Sequence, residues 1–424
     1  MRQIAEGKTK QIFDVGAGIV QIRSKDDITA GDGARRDLLT GKAVLATATN
    51  GHVYSLLNDA GVATHYLGQD DETTFRAYHC DMVPIEVVSR RIATGSYLKR
   101  NPEIAEGHRF VPLLTEFFFK DDANHDPQIS EEDIVKDKHL TEAELSGVKR
   151  QAALVFEVLE RAWALEGVTL VDMKIEFGRR KSDGALLLAD VIDNDSWRIW
   201  PGGDKSAMKD KQVYRNLTSR TEEALEKVLD NYRWVALKTE TFARSGQGLA
   251  VVVMGSASDE KIGRAVADTL RALAVETHLR VCSAHKDPAR LLDMAADYDA
   301  LARPLVYVAI AGRSNGLGPV LDGTTPHPVI NCPPPSDKFG GMDILSSLRL
   351  PGGLACSTVL EPETAALAVV KILAEQDAAL WGRLRIYQRK TREAVAAADE
   401  KTRAVLPPSL APAAAVRVPE PAHA

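Results

Sequence analysis

The sequence predicts an α+β domain with substantial antiparallel sheet over residues 1–244, followed by a three-layer, flavodoxin-like α/β domain with a parallel sheet over residues 249–400. Three observations carry this reading. The chain has 424 residues, enough for two or three domains. Its first half mixes strand and helix patterns without regular alternation. In its second half a buried strand pattern, Leu249–Met254, opens onto the small-residue turn Gly255-Ser256-Ala257-Ser258-Asp259, and strands and helices alternate from there. Such a strand–turn–helix unit presents backbone N–H groups to an anion and ordinarily stands near the start of a domain. Its position in mid-chain implies that a second chemistry begins there.

Residues 1–35 alternate like a β-hairpin, with Gln11–Val15 and Ile19–Ile22 on either side of a Gly16-Ala17-Gly18 turn. Further strands are predicted at Pro84–Val88, Leu114–Phe119, Thr169–Phe177 and Leu186–Ile192, and helices over Glu142–Trp163 and about Thr221–Ala243. A short polar, glycine-bearing stretch at 245–248 reads as the linker. Beyond it the pattern predicts strands at 250–254, 276–282, 304–310 and 327–332, and helices over 258–273, 287–298 and 361–374. That order implies βαβ units. A last helix, 376–400, is long enough to reach another subunit, and the Pro/Ala-rich end, 401–424, reads as disordered.

Hydrophobic residues at 45% and charged residues at 26% fit a globular protein with real cores. The formal net charge of −6 argues against a general affinity for nucleic acid. Four cysteines without CxxC spacing argue against a zinc site and a disulfide framework. No apolar run approaches the roughly 18 residues of a membrane span, and residues 1–6 lack a signal-like apolar region. The expectation is a cytosolic protein with no membrane partner.

In the first half, Glu6-Gly7-Lys8-Thr9-Lys10 sets two lysines beside a glycine. It is not a Walker A loop, and taken alone it reads as a solvated lysine pair. In Val171–Gly178, period-2 geometry puts Asp172, Lys174 and Glu176 on one strand face, and Leu188–Asp195 brings more carboxylates. Carboxylates opposite a lysine suit Mg²⁺ bridging nucleotide phosphates; an exposed, salt-bridged face explains the spacing equally well. Arg198, flanked by Trp197 and Trp200, needs an anionic partner if buried. Arg90–Arg100 pairs forked donors with a Gly-Ser turn, which suits phosphate, and Phe117–Pro127 runs from a buried strand into a charged loop.

The segments EGKTK, ITAGDGARR, RRIATGSYLKRNP, FFFKDDANHDPQ, LVDMKIEFG and ADVIDNDSWRIWP together resemble SAICAR synthetase over about residues 5–240. That family joins L-aspartate to carboxyaminoimidazole ribonucleotide (CAIR) using ATP. The resemblance implies that Lys8, Lys10, Lys174 and Glu176 contact ATP, and that Glu176 and Asp190 hold Mg²⁺. It implies further that Arg90, Ser96, Arg100, Lys120, Asp122, Asp126, Asp195, Arg198 and Lys211 bind CAIR and aspartate. The chemistry fits, because lysines and Mg²⁺ offset the charge of a transferring phosphoryl group.

In the second half, three further loops join the Gly255–Asp259 turn: Ser283–Pro288, Ala309–Pro319 and Ser346–Gly353. Ser256, Ser258 and Asp259 alone read as a helix cap. His285, at a strand's carboxyl end beside Lys286, is placed to accept a proton, although a lone loop histidine is more often structural. Together VVVMGSASD, CSAHKDP, AGRSNGLGPV, PVINCPPP and SSLRLPGG resemble phosphoribosylaminoimidazole (AIR) carboxylase over about residues 249–375. The His-Lys pair is similar to the animal type, which takes CO₂ directly without ATP or biotin. The resemblance implies His285 and Lys286 as catalytic, and Ser256, Ser258, Asp259, Lys286, Gly312, Arg313 and Ser314 as binding AIR and CO₂. Asp287 departs from the glycine common in that family. The synthetase-then-carboxylase order is similar to that of the bifunctional purine enzymes of animals, and the family implies a homo-octamer. Two rival readings are a nucleotide sensor with a decayed site and a flavin or dinucleotide oxidoreductase; the second lacks a GxGxxG after a strand.

Overall fold

The computed structural model describes residues 1–31, 34–121, 124–243 and 246–403. The first domain holds β1 (Arg2–Glu6), β2 (Lys10–Gly16), β3 (Ile19–Ser24), β4 (Asp27–Ala30), β5 (Arg35–Leu38), α1 (Lys42–Asp59), β6 (Tyr66–Asp71), β7 (Thr74–Tyr78), β8 (Cys80–Ile92), α2 (Ser96–Arg100) and β9 (Arg109–Phe119). It continues with α3 (Glu131–Lys136), α4 (Glu142–Leu165), β10 (Val168–Arg180), β11 (Leu186–Ala189), β12 (Trp197–Pro201), α5 (Gln212–Arg215) and α6 (Glu222–Thr239). One antiparallel sheet runs β1-β2-β3-β7-β6, and a second runs β11-β10-β8-β9 with β12 also paired to β10. The two sheets and α1 and α4 share a core that includes Tyr54, Phe75, Val87, Phe156, Trp163 and Ile175.

The strands expected at Pro84–Val88 and Leu114–Phe119 are the middle of the longer β8 and the C-terminal half of the longer β9. The sequence patterns did not reveal α1. Its buried residues form one broad face, but that face includes the polar Lys42, Thr47, Thr49 and Asn50 while Val44 and Leu45 lie off it, so hydrophobicity shows no 3.6-residue period. α4 has such a stripe, and its start is set by a reciprocal cap between Thr141 and Glu144.

The second domain holds β13 (Leu249–Met254), α7 (Glu260–Ala272), β14 (Glu276–Val281), α8 (Pro288–Asp299), β15 (Leu305–Ile310), α9 (Leu317–Asp322), β16 (Val329–Asn331), α10 (Leu345–Leu348), β17 (Ser357–Thr358), α11 (Pro362–Leu373) and α12 (Ala378–Arg403). Its parallel sheet runs β14-β13-β15-β16-β17. β13 and β15 are buried along their whole length, as a sheet covered on both faces requires. This is the flavodoxin-like order, with the chain reversing direction across the sheet at β13 and leaving a crevice at the carboxyl ends of β13 and β15. Among the described residues no helix is long and apolar enough to cross a membrane.

α12 belongs to both cores. Ala378 and Ala379 pack in the first domain's core, while Leu380 and Leu384 pack in the second's. A Cβ on Gly382 would lie 2.6 Å from the Cβ of Ala60 and 2.9 Å from Val158 Cγ2, so glycine is what admits the close approach. Ion pairs Arg161–Glu375 at 2.6 Å and Arg385–Glu157 at 2.9 Å flank the contact. The first turns of this helix lie on α1 and α4 of its own chain, while residues 390–403 are exposed. It runs to Arg403, three residues into the stretch expected to be disordered; residues 404–424 lie outside the described residues. In the linker, the Gly246 N–H donates to Asp377 Oδ2 at 2.7 Å, tying it to the start of α12.

Candidate active sites

β10 carries the first site. It is hydrogen-bonded along both edges, by β8 opposite Asp172–Glu176 and by β11 and β12, which makes it an interior strand of its sheet. Asp172 is 4% exposed and Glu176 3%. Lys174 Nζ donates to Glu86 Oε1 at 2.6 Å and to Glu176 Oε1 at 3.3 Å, and Lys120 Nζ donates to Glu176 Oε2 at 2.8 Å. Lys10 pairs with Asp190, the residue just past β11. Burial opposes charge on Lys174, but Glu176 and Glu86 outweigh it and raise its pKa. Burial likewise opposes charge on Glu176, and Lys174 and Lys120 prevail and lower its pKa. Burial also pulls the Lys10 ammonium down to about 8. Lys8 sits in the exposed β1–β2 turn beside this cluster.

Asp190 adopts φ +64°, a conformation unusual for a non-glycine residue. Its carbonyl accepts from the Tyr54 hydroxyl at 2.8 Å and from His65 Nε2 at 3.0 Å. Burial drops the His65 pKa to about 3, so the ring is neutral. These two donors hold the backbone that aims the Asp190 carboxylate. Both were missed from sequence, because α1 and the residues after it carried no recognisable pattern.

Arg90, 3% exposed, donates through Nε to Glu116 Oε2 at 2.5 Å and through Nη1 to Asp172 Oδ2 at 2.6 Å. Arg198 Nη1 meets the same Asp172 oxygen at 2.5 Å, and Arg100 Nη2 meets Glu116 Oε1 at 2.6 Å. The anionic partner that Arg198 requires is thus Asp172. Three guanidinium groups face two carboxylates, which leaves a net positive charge for an incoming anion. Ser96 opens α2 beside them and is exposed.

The FFFKDDANHDP loop divides differently from its expected role. Lys120 joins the Glu176 cluster, whereas Asp126 Oδ1 accepts from the Asp121 N–H at 2.8 Å and closes its own loop. Asp122 lies outside the described residues. Asp195 is half-buried between Lys211 Nζ at 2.6 Å and the Tyr232 hydroxyl at 2.7 Å. Burial opposes its charge, but Lys211 and Lys42 prevail and hold its carboxyl below the usual range.

Among the described residues, no three carboxylate, imidazole or thiol groups converge to hold a metal by themselves. Glu176 and Asp190 are two hard oxygen donors beside lysines. They fit a Mg²⁺ ion that takes its remaining ligands from nucleotide phosphates and water.

The second site lies at the carboxyl ends of β13, β14 and β15. Ser256 Oγ accepts from the Ser258 N–H at 3.3 Å and from the Ser258 hydroxyl at 3.0 Å, while the Asp259 side chain makes no cap bond to α7. Burial raises the Asp259 pKa. Asp287, the departure from its family's glycine, caps α8 by accepting from the Arg290 N–H at 3.3 Å, with Pro288 following in the first turn.

His285 is exposed on its loop, with its ring against Gly316: a Cβ there would lie 2.8 Å from Nε2. The loop 311–316 is pinned from the far side. Ser346 Oγ donates to the Arg313 carbonyl at 2.9 Å and accepts from the Asn315 N–H at 3.0 Å, and Asn315 Nδ2 donates to Asn331 Oδ1 and Ser347 Oγ. Arg313 adopts φ +62° within this turn. Gly312 and Arg313 line a cavity of about 260 Å³ with Pro333–Ser336, Asp343 and Ser347. Ser314 and Lys286 are exposed. Ser346, Ser347 and Asn331 sit in segments flagged from sequence, but their bracing role was not evident there.

Two unrelated folds in one chain, each with a charged site, define a bifunctional enzyme. A SAICAR synthetase family model matches residues 3–232, and an AIR carboxylase family model matches residues 249–394. The Drosophila melanogaster bifunctional phosphoribosylaminoimidazole carboxylase/phosphoribosylaminoimidazole succinocarboxamide synthetase is 48% identical over 410 residues, covering 95% of each chain. The Homo sapiens protein of the same description is 45% identical, covering 95% of this chain and 97% of its own. The crystal structure of phosphoribosylaminoimidazole-succinocarboxamide synthase from Ehrlichia chaffeensis matches with a TM-score of 0.52 at 32% identity, covering 56% of this chain and 98% of that one. The chain belongs to the family of bifunctional AIR carboxylase/SAICAR synthetase enzymes, a ligase and a lyase of purine biosynthesis in one polypeptide.

Proposed function

We propose that the second domain carboxylates AIR with CO₂ to give CAIR, and that the first joins CAIR to L-aspartate with ATP, giving SAICAR, ADP and phosphate. The observation that carries the ligation is the buried Glu176, ion-paired with Lys174 and Lys120, next to the Lys10–Asp190 pair. Lys8, Lys10 and Lys174 face the phosphates, where charge builds up as the γ-phosphoryl group moves to the CAIR carboxylate. Mg²⁺, held by Glu176 and Asp190 with the nucleotide, would supply additional charge neutralisation when bound. Arg90, Arg100, Arg198 and Ser96 hold the ribonucleotide phosphate. The aspartate amine then attacks the acyl phosphate, forms the amide bond, releases phosphate and loses a proton.

In carboxylation, C4 of the aminoimidazole attacks the carbon of CO₂ and His285 takes the C4 proton. Ser256, Ser258 and Asp259 bind the phosphate and ribose, while Lys286, Gly312, Arg313 and Ser314 hold the incoming carboxylate. This step consumes neither ATP nor biotin. A cytosolic location and a homo-octamer complete the proposal. Assembly through the second domain would cover Phe339, Met342 and Leu348, all exposed in the single chain. The test is SAICAR formation by purified protein given AIR, bicarbonate, aspartate, Mg²⁺ and ATP. Without ATP and aspartate, carboxylation should persist; no turnover in either assay sinks the proposal.

A further inference from the structure

Lys42 opens α1 and is 1% exposed, yet among the described residues its ammonium makes no hydrogen bond or ion pair. It stands 5.3 Å from the centre of the Tyr232 ring. Its Nζ is not among the sealed polar atoms without a partner, so the trace of exposure this residue keeps lies at the tip. A buried ammonium with three unused donors marks a place where an anion belongs.

The surroundings narrow the chemistry. Asp193 and Asp195 are the carboxylates that feel the Lys42 charge, and Lys211 acts on the same pair. Both Asp195 oxygens are taken, one by Tyr232 and one by Lys211. Asp193 Oδ1 accepts from the Asp195 N–H at 2.8 Å, which leaves its other oxygen for a donor. Asp193 also acts electrostatically on Lys10, so this pocket borders the Lys10–Asp190 cluster. Lysines and an available carboxylate in one pocket complement an amino acid that carries an ammonium and two carboxylates. A phosphate would satisfy Lys42 and Lys211 but would face Asp193 with like charge.

We propose that Lys42 binds a carboxylate of the amino-acid substrate in the synthetase site, with Asp193 receiving its amine. This rests on the synthetase reading above. The test is Lys42→Met, close to lysine in shape but without the charge. The Michaelis constant for L-aspartate should rise roughly tenfold to hundredfold, the loss expected for one hydrogen bond to a charged group. Those for ATP and CAIR should stay near wild type, and the inhibition constant of succinate, which lacks the amine, should rise with that for aspartate. Because Lys211 and Tyr232 still hold Asp195 in the variant, the melting temperature should stay near that of the wild type. An unchanged constant for aspartate overturns the proposal, as does a rise confined to ATP. So does a lower melting temperature with all three constants rising together, which would mark a structural role. Calorimetric titration of L-aspartate in the presence of ADP needs no turnover. Absence of SAICAR formation by the wild type would remove the synthetase reading, whereas equal aspartate binding by wild type and variant, or none by the wild type, would remove the role of Lys42.

Discussion

Gly316→Ala isolates one contact in the carboxylase site. Gly316 has φ −83° and ψ −17°, which alanine adopts freely, so the backbone raises no objection. The obstacle is the His285 ring, with Nε2 at 2.8 Å and Cε1 at 3.1 Å from the new methyl group. Ordinary contact begins near 3.5 Å, so the imidazole must retreat by roughly 0.7 Å. His285 is exposed and can swing outward without disturbing a core, so stability should change by less than about 1 kcal/mol. Misplacing a proton-accepting group by this much should slow carboxylation roughly tenfold to hundredfold. The assay is conversion of AIR to CAIR at saturating CO₂, with SAICAR formation from supplied CAIR as the internal control. Carboxylation at the wild-type rate would refute the view that the Gly316 loop locates His285. A large fall in melting temperature would equally refute it, since the loss would then be structural.

Asp172→Asn should cost about 3–5 kcal/mol of stability in urea unfolding, because Arg90 and Arg198 lose their shared buried partner; a smaller loss would mean that other groups satisfy them. His285→Ala should abolish carboxylation alone and Asp190→Ala ligation alone, and loss of both activities in either variant would contradict independent sites. Gly382→Leu forces α12 off Ala60 and Val158, and should lower stability by about 1–3 kcal/mol and separate the thermal unfolding of the two domains. Glu144 is held at about 2, chiefly by hydrogen bonds from Arg179, below its usual 4.5. Its folded-state pKa is depressed, so its stabilisation is present above about 4.5 and lost as pH falls towards 2. Glu144→Gln should therefore flatten the acid limb of a stability–pH curve, and an unchanged slope would refute the assignment.

The second domain was the more legible because buried parallel strands alternating with helices leave a strong local signal. The turns that begin at Gly255, Ser283 and Ala311 each fall at a strand's carboxyl end, where the fold places ligands. In the first domain β8 and β9 were seen only in part, since the ends of β8 carry charged and polar residues and Pro112 interrupts the first half of β9. α1 was missed because its buried face carries Lys42, Thr47, Thr49 and Asn50, which leaves no apolar stripe in the sequence. Its loss hid Lys42 and Tyr54, which matter only through neighbours more than a hundred residues away.

By itself the sequence determined two domains, their order, the carboxylate–lysine strand and the loops around His285. All of these follow from local periodicity and from short motifs whose chemistry is contained in adjacent residues. Tertiary structure alone decided which charges meet: that Asp172 serves two arginines, that Lys120 belongs to Glu176, that Asp126 closes its own loop and that Lys42, among the described residues, is buried with no hydrogen bond or ion pair. It also decided that α12 lies in both cores. Pairings of this kind depend on sheet register and helix packing, which bring together residues that no local pattern relates.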